Sequence, residues 1–166
     1  VGGLVGINEG SIEKSFITDS IIKYDNERNT TTYGGLVGKN EQGSSIKQSY
    51  ASVTIDSKKW TGGLVGWNCG SIENSYSTGV LKGTEEIGGL VGRSSRSASI
   101  VNSYANTDVF ATVSGSGFIG GLEWGNGGTV SNCVYNSGKD LPEKSSTSIA
   151  EVMAKTPEEL KSEEML

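Results

Sequence analysis

The chain has 166 residues, 34% hydrophobic and 20% charged, with 25 glycines, two prolines and no histidine. Its net charge is −5, and from Asp140 onward seven acidic residues face three basic ones, so the body ahead of that point is close to neutral. This balance argues against nucleic acid as a partner, the absent histidines remove Ser-His-Asp, Cys-His and HExxH chemistry, and no apolar run approaches the roughly 20 residues of a membrane span.

In chain order the dominant feature is self-similarity. GGL recurs at residues 2–4, 34–36, 62–64, 88–90 and 120–122, with spacings of 32, 28, 26 and 32. An apolar point follows each (Ile12, Ile46, Ile72, Ile100, Val130), then a small residue (Ser15, Ser49, Ser75, Ser103, Cys133), then an aromatic (Phe16, Tyr50, Tyr76, Tyr104, Tyr135) and a β-branched patch. Each copy therefore predicts three short strands separated by Gly, Asn and Ser turns. A unit of this size buries almost nothing alone, so copies are expected to stack with like residues above like.

On that reading Leu4, Leu36, Leu64, Leu90 and Leu122 form one inward column, and Ile12 to Val130 a second. Gly2, Gly34, Gly62, Gly88 and Gly120 are expected where positive φ or a close backbone forbids a Cβ. Alternation does not decide the direction of the aromatic column, although Phe16 within it favours burial. The segments YDNERNTTTY, DSKKWT, KGTEEI and ATVSGSGFI read as loops projecting from one edge. Cys69 and Cys133 fall at different points of the circuit in different copies, so both are expected to be free thiols, Cys133 in a small buried site.

The tail changes character. Ser148 with Glu151, and Thr156 with Glu159 behind Pro157, form two capping boxes, which predict helices over about 148–155 and 157–166. Residues 1–138 are thus expected to be a stacked β-repeat of about five copies, and residues 139–166 a linker with two short helices capping the last one. A chain that opens inside one repeat and closes inside a helix is expected to be a piece of a longer polypeptide.

GGLVGINEGSIEKSF, GGLVGKNEQGSSIKQSYA, GGLVGWNCGSIENSYSTG and GGLVGRSSRSASIVNSYA resemble the GLUG motif, named for its glycine, leucine, bulky and glycine positions. The fifth copy, GGLEWGNGGTVSNCVY, departs from it by placing Glu123 where the others have Val. Such repeats occur in large bacterial surface proteins, among them the immunoglobulin-A protease family of Gram-positive bacteria and filamentous adhesins, where they accompany other domains and are not the catalytic part. The resemblance implies an extracellular, cell-surface or cell-wall location, the flanking domains of the same polypeptide as partners, and no catalytic residue.

Among residues that could carry chemistry, Glu13, Glu73 and Glu123 read as solvated acids on outward strand positions, and Glu85 and Glu86 as loop acids. Asp25, Asn26, Glu27 and Asn29 lack the spacing of a calcium loop, and GGLVG leads into neither a phosphate-binding lysine nor a helix, so no metal or cofactor is expected. Trp67 is the candidate ligand-binding residue: its equivalents Ile7, Lys39 and Arg93 include two charges, which implies an outward position. Trp60 and Trp124 are lesser candidates.

The expected architecture is all-β, a parallel β-helix-like solenoid with a short helical C-terminal cap, about 24 Å long for five layers. The expected function is a noncatalytic structural spacer of a secreted or wall-attached bacterial protein. The alternative is an adhesin face meeting a host glycoprotein or glycan through Trp67. A polysaccharide-cleaving β-helix comes third, disfavoured by the lack of a convergent acidic and basic cluster.

Overall fold

A computed structural model describes residues 1–24, 32–123, 128–141 and 152–162. Asp25, Asn26, Glu27, Asn29, Trp124 and the Ser148–Glu151 capping box lie outside the described residues. The chain winds into a β-solenoid whose layers are the repeat copies, and every strand pair is parallel. The first sheet holds β1 (Val5–Asn8), β5 (Val37–Asn40), β9 (Val65–Asn68), β13 (Val91–Ser94) and β17 (Ile119–Leu122). The second holds β2 (Ser11–Glu13), β6 (Ser45–Lys47), β10 (Ser71–Glu73), β14 (Ser99–Val101) and β18 (Thr129–Ser131). The third holds β3 (Phe16–Lys23), β7 (Tyr50–Asp56), β11 (Tyr76–Gly83), β15 (Tyr104–Ala111), β19 (Cys133–Asn136) and β20 (Val152–Lys155).

A fourth sheet, not expected from the sequence, holds β4 (Tyr33–Gly34), β8 (Lys59–Gly62), β12 (Glu85–Gly88) and β16 (Gly115–Ser116). Four of the five layers thus contain four described strands instead of three, and DSKKWT, KGTEEI and ATVSGSGFI each contribute a short strand to the wall. These strands have no period-2 apolar pattern of their own. They exist because the layers on either side offer a backbone to pair with.

The core is a set of vertical columns. Ile12, Ile46, Ile72, Ile100 and Val130 stack in register and are all buried. A column from the third sheet, Ile22, Ile55, Leu81 and Val109, belongs to the same core cluster. Leu36, Leu64 and Leu90 continue into Phe118, whose carbonyl takes the N–H of Leu90. The fifth copy is therefore phased differently from its GGL string. Ser116 pairs with Gly88 and Ile119 with Val91, while Leu122 pairs with Ser94. Ser-Gly-Phe-Ile-Gly, residues 116–120, stands where the other copies have Gly-Gly-Leu-Val-Gly, and Gly120 and Leu122 are not members of the columns assigned to them.

The aromatic column also differs from expectation. Phe16, Tyr50, Tyr76 and Tyr104 lie on the outer face, with Phe16 58% exposed. Phe16 and Tyr50 stack at 5.1 Å and 5°, Tyr50 and Tyr76 at 4.8 Å and 3°. Ring planes perpendicular to the solenoid axis and one strand spacing apart stack face to face, so the apolar surface is covered by neighbouring rings instead of by the core. Val134, not Tyr135, is the partner of Tyr104; Tyr135 lies one residue on, over Gly117.

Sharp corners join the second and third sheets. Lys14, Gln48, Asn74, Asn102 and Asn132 occupy that corner in successive layers with φ between 48° and 50°. Asparagine fills three of the five because it tolerates left-handed backbone better than other side chains. Inside the preceding corner, between the first and second sheets, runs an amide ladder: Asn8 Nδ2 donates to Asn40 Oδ1 at 2.8 Å, and Asn40 Nδ2 to Asn68 Oδ1 at 2.9 Å. A serine ladder parallels it, in which the N–H groups of Ser15, Ser49 and Ser75 donate to the Oγ of the serine one layer on.

In the tail, α1 (Pro157–Ser162) follows a formed capping box. Thr156 N–H donates to Glu159 Oε2 at 2.7 Å and Glu159 N–H to Thr156 Oγ1 at 3.3 Å, which lowers the Glu159 carboxyl below its usual range. Residues 152–155 of the first expected helix are instead β20, paired with β19 along the edge of the third sheet. An open parallel edge offers that segment a full set of backbone partners, which outweighs the helix preference of Val-Met-Ala-Lys.

Candidate functional site

The outer side of the junction between the first and fourth sheets gathers the chemistry-bearing side chains. Lys39, Trp67 and Arg93 are consecutive in one column, as the sequence spacing requires, with Ile7 before them and Gly121 after. The Lys39 ammonium lies 4.4 Å from the centroid of the Trp67 ring, and the Arg93 guanidinium 5.9 Å from it. Lys39 and Arg93 come from the layers on either side, so both faces of the indole have a cation beside them. Trp60, expected in a loop, is in β8, with its ring 5.5 Å from Trp67 and the Arg93 guanidinium 4.9 Å away.

The cations are themselves held. Lys39 pairs with Glu41 at 2.7 Å and Arg93 with Glu86 at 3.5 Å. Trp60 and Glu86 occupy facing positions in β8 and β12, both with left-handed backbone (φ 46° and 54°), which turns their side chains over the first sheet. Burial pushes the Glu86 carboxyl above its usual range, partly offset by the Arg93 charge. Trp67 is half-buried, and its Nε1 and the Arg93 Nε are buried without a hydrogen-bond partner among the described residues. The column Ile7–Lys39–Trp67–Arg93 follows from the repeat spacing; Trp60 and Glu86 do not, because they belong to the fourth sheet.

The acidic candidates are not brought together. Glu13 and Glu73 lie in layers separated by the one that carries Lys47, which pairs with Glu73 at 3.5 Å. Glu85 pairs with Lys59 at 2.7 Å, and Glu123 follows β17 at the other end of the stack. Glu73 and Glu85 thus each face a cation of the adjacent layer, an arrangement that fixes register, while Glu86 pairs with Arg93 of the next strand in the same circuit. Among the described residues no group of three or more His, Cys, Asp or Glu is placed to hold a metal. Among them no helix is long and apolar enough to cross a membrane.

Cys69 and Cys133 are both buried free thiols. Cys133 continues the serine ladder, its Sγ 3.2 Å from the Ser131 carbonyl. Burial pushes this thiol from 9.0 up to about 11, against the opposite pull of backbone hydrogen bonds. A raised folded value means that the folded state keeps a proton the unfolded chain has lost, so stability present below pH 9 falls as pH rises through 11. The loss is about 2–3 kcal/mol. Cys133→Ser, which restores the ladder's own residue, is expected to remove most of that alkaline loss in urea titrations while changing the neutral-pH midpoint little.

Residues 29–56, spanning the second layer, match the family model of the GLUG motif. Over 128 residues, 67% of the chain, the sequence is 35% identical to halomucin of Haloquadratum walsbyi. That match covers 1% of halomucin's own length. No solved structure matches the chain.

Proposed function

We propose that this GLUG-repeat solenoid is a noncatalytic spacer that holds apart or presents other domains of a secreted or wall-attached surface protein. The observation that supports it is the in-register pairing of successive layers through three sheets at least five strands deep, with like residues above like. A stack of this kind resists bending and extension because deforming it breaks many backbone hydrogen bonds at once. The likeness to a short stretch of halomucin, whose name is that of a mucin, agrees with an extracellular setting and with a module inside a much longer chain. An immunoglobulin-A-protease-like parent is the finer form of this reading and rests on the motif alone.

Pulling the chain by its ends tests the spacer role. A force peak for each group of layers is expected, and featureless extension at low force would overturn the reading. Turnover of any polysaccharide by the purified chain would overturn its noncatalytic part.

The second reading is contact with a host glycoprotein or glycan at the Trp67 face, supported by the convergence of two indoles and two cations there. Because cations already lie beside both faces of Trp67, a neutral sugar would have to displace one in order to stack, so an acidic glycan suits the site better. If that reading holds, Trp67→Ala abolishes retention on an acidic glycan array; silence of the unaltered chain across the array leaves the spacer reading alone.

A further inference from the structure

The outer face of the third sheet carries most of the apolar surface that the stack leaves uncovered. Among the described residues nine large hydrophobic side chains are exposed, and five of them, Phe16, Ile21, Tyr76, Phe110 and Met153, lie on this face. Four outward columns run along it. Phe16, Tyr50, Tyr76 and Tyr104 form a column of rings, continued by Val134 and Met153. Beside it stand Ser52, Thr78 and Asn106, and beyond them Ile21, Thr54, Val80 and Asp108, all shorter side chains. The charged residues Lys23, Asp56 and Lys82 lead the column that ends the face.

The geometry of the rings narrows what can cover them. A sugar stacks on the flat side of a ring, and here Phe16, Tyr50 and Tyr76 turn those sides to one another at 5.1 and 4.8 Å. An anionic bilayer favours a uniformly basic face, and this one alternates in sign along Lys23, Asp56 and Lys82. What the face matches is itself. At the roughly 10 Å between packed sheets two tyrosine columns cannot stand tip to tip, whereas a column of rings fits over a column of short side chains. The ring column and the Ile21 to Asp108 column flank the Ser52 column, so a two-fold axis parallel to the solenoid and over Ser52, Thr78 and Asn106 exchanges them layer by layer.

We propose that the outer face of the third sheet pairs with the same face of a second copy about that axis. Phe16 then lies over the partner's Ile21 and Tyr76 over the partner's Val80, apolar on apolar. Tyr50 and Tyr104 bring phenol hydroxyls to the partner's Thr54 and the partner's Asp108, whose oxygens accept. Asp108 enters the contact with its charge already balanced, since Lys139 of the same chain pairs with it at 3.6 Å. The charged column falls at the rim, where its members keep their water. An axis along the strands would instead set ring column on ring column.

The strands of this face are seven or eight residues long in four successive layers, which makes about 500 Å² per partner at ordinary strand dimensions. An area at the low end of specific interfaces implies a reversible pairing, strengthened where chains are held side by side. The spacer role is not needed for this inference, and its mechanical test is independent.

Sedimentation equilibrium of the full chain, followed up to about 1 mM, is expected to show a monomer–dimer equilibrium. Ile21→Arg and Val80→Arg, at outward positions away from the core, are each expected to weaken it tenfold or more while leaving the urea midpoint of the dilute chain unchanged. The axis is tested by cross-linking. Ser52→Cys and Thr78→Cys, made separately, should each give a covalent dimer with a short bismaleimide, and Lys82→Cys should not. The unaltered chain is the control, because Cys69 and Cys133 are buried. A chain that stays monomeric throughout, or a Val80→Arg variant that dimerises like the unaltered chain, would overturn the proposal. Cross-linking at only one of Ser52 and Thr78 would overturn the axis, since an axis along the strands brings a single layer onto itself. Association that grows past the dimer would overturn the closed pairing.

Discussion

Asn40→Ala is expected to lower the stability of the chain by about 3 kcal/mol, and Asn40→Asp by at least as much, read from urea midpoints at neutral pH. Asn40 is fully buried and uses both ends of its amide. Its Nδ2 donates to Asn68 Oδ1 at 2.9 Å and to the Ser71 carbonyl at 3.3 Å, while its Oδ1 accepts from Asn8 Nδ2 at 2.8 Å and Ser44 Oγ at 2.6 Å. Alanine leaves several of these groups in a dry corner with a partner missing, and each such loss costs about 1–3 kcal/mol.

Aspartate keeps the shape but replaces the donor by an acceptor aimed at two oxygens, and it adds a buried charge. Its folded pKa would be raised, so the deficit of Asn40→Asp should shrink as pH falls and the carboxyl regains a proton to donate. An aspartate variant as stable as the unaltered chain would show that water enters the corner and that the ladder is not a dry structural element. The end of the ladder supports the dry reading. Ser94 takes the asparagine's place in the fourth layer, and Asn68 Nδ2 is left buried without a partner among the described residues.

Where the repeat keeps its spacing, the fold was legible residue by residue. The Ile12 to Val130 column, the Ser15 to Cys133 column and the placing of Lys39 and Arg93 beside Trp67 follow from counting, because parallel pairing at one strand spacing sets equivalent residues above one another. The fifth layer was not legible, because its GGL string is a decoy: Leu122 falls in the asparagine column, and Phe118 fills the leucine site.

The fourth sheet was hidden for another reason. Its strands are two to four residues long, and the left-handed backbone of Trp60 and Glu86 breaks the alternation that would have marked two of them. That is also why half of the Trp67 cluster went unseen. In the tail, the Thr156–Glu159 cap is local and could be read directly, whereas β20 depends on an edge made by residues far away in the chain.

Gly63→Ala is expected to cost about 3–5 kcal/mol and to split the urea transition in two. Gly35, Gly63, Gly89 and Gly117 form the second glycine column, and none has positive φ, so conformational freedom is not what keeps them glycine. Space is. A Cβ on Gly63 would run into the Gly89 carbonyl oxygen of the next layer, and into Ser77 Cβ at 2.8 Å and Oγ at 2.9 Å. That carbonyl accepts both the Gly63 N–H at 3.2 Å and the Ser77 hydroxyl at 2.7 Å, so the methyl group pushes on the pairing of the third and fourth layers and on a fully buried side chain together. In a stack whose stability is a sum of layers and nearest-neighbour contacts, a weakened central contact lets the two halves melt apart, which a change at either end cannot do. Gly6→Ala supplies the matched comparison, since its Cβ meets nothing within 4 Å among the described residues. A single sharp transition in Gly63→Ala, with a midpoint like that of Gly6→Ala, would mean that the layers can separate by a few tenths of an ångström at no cost and that backbone contact between them is not what holds the stack.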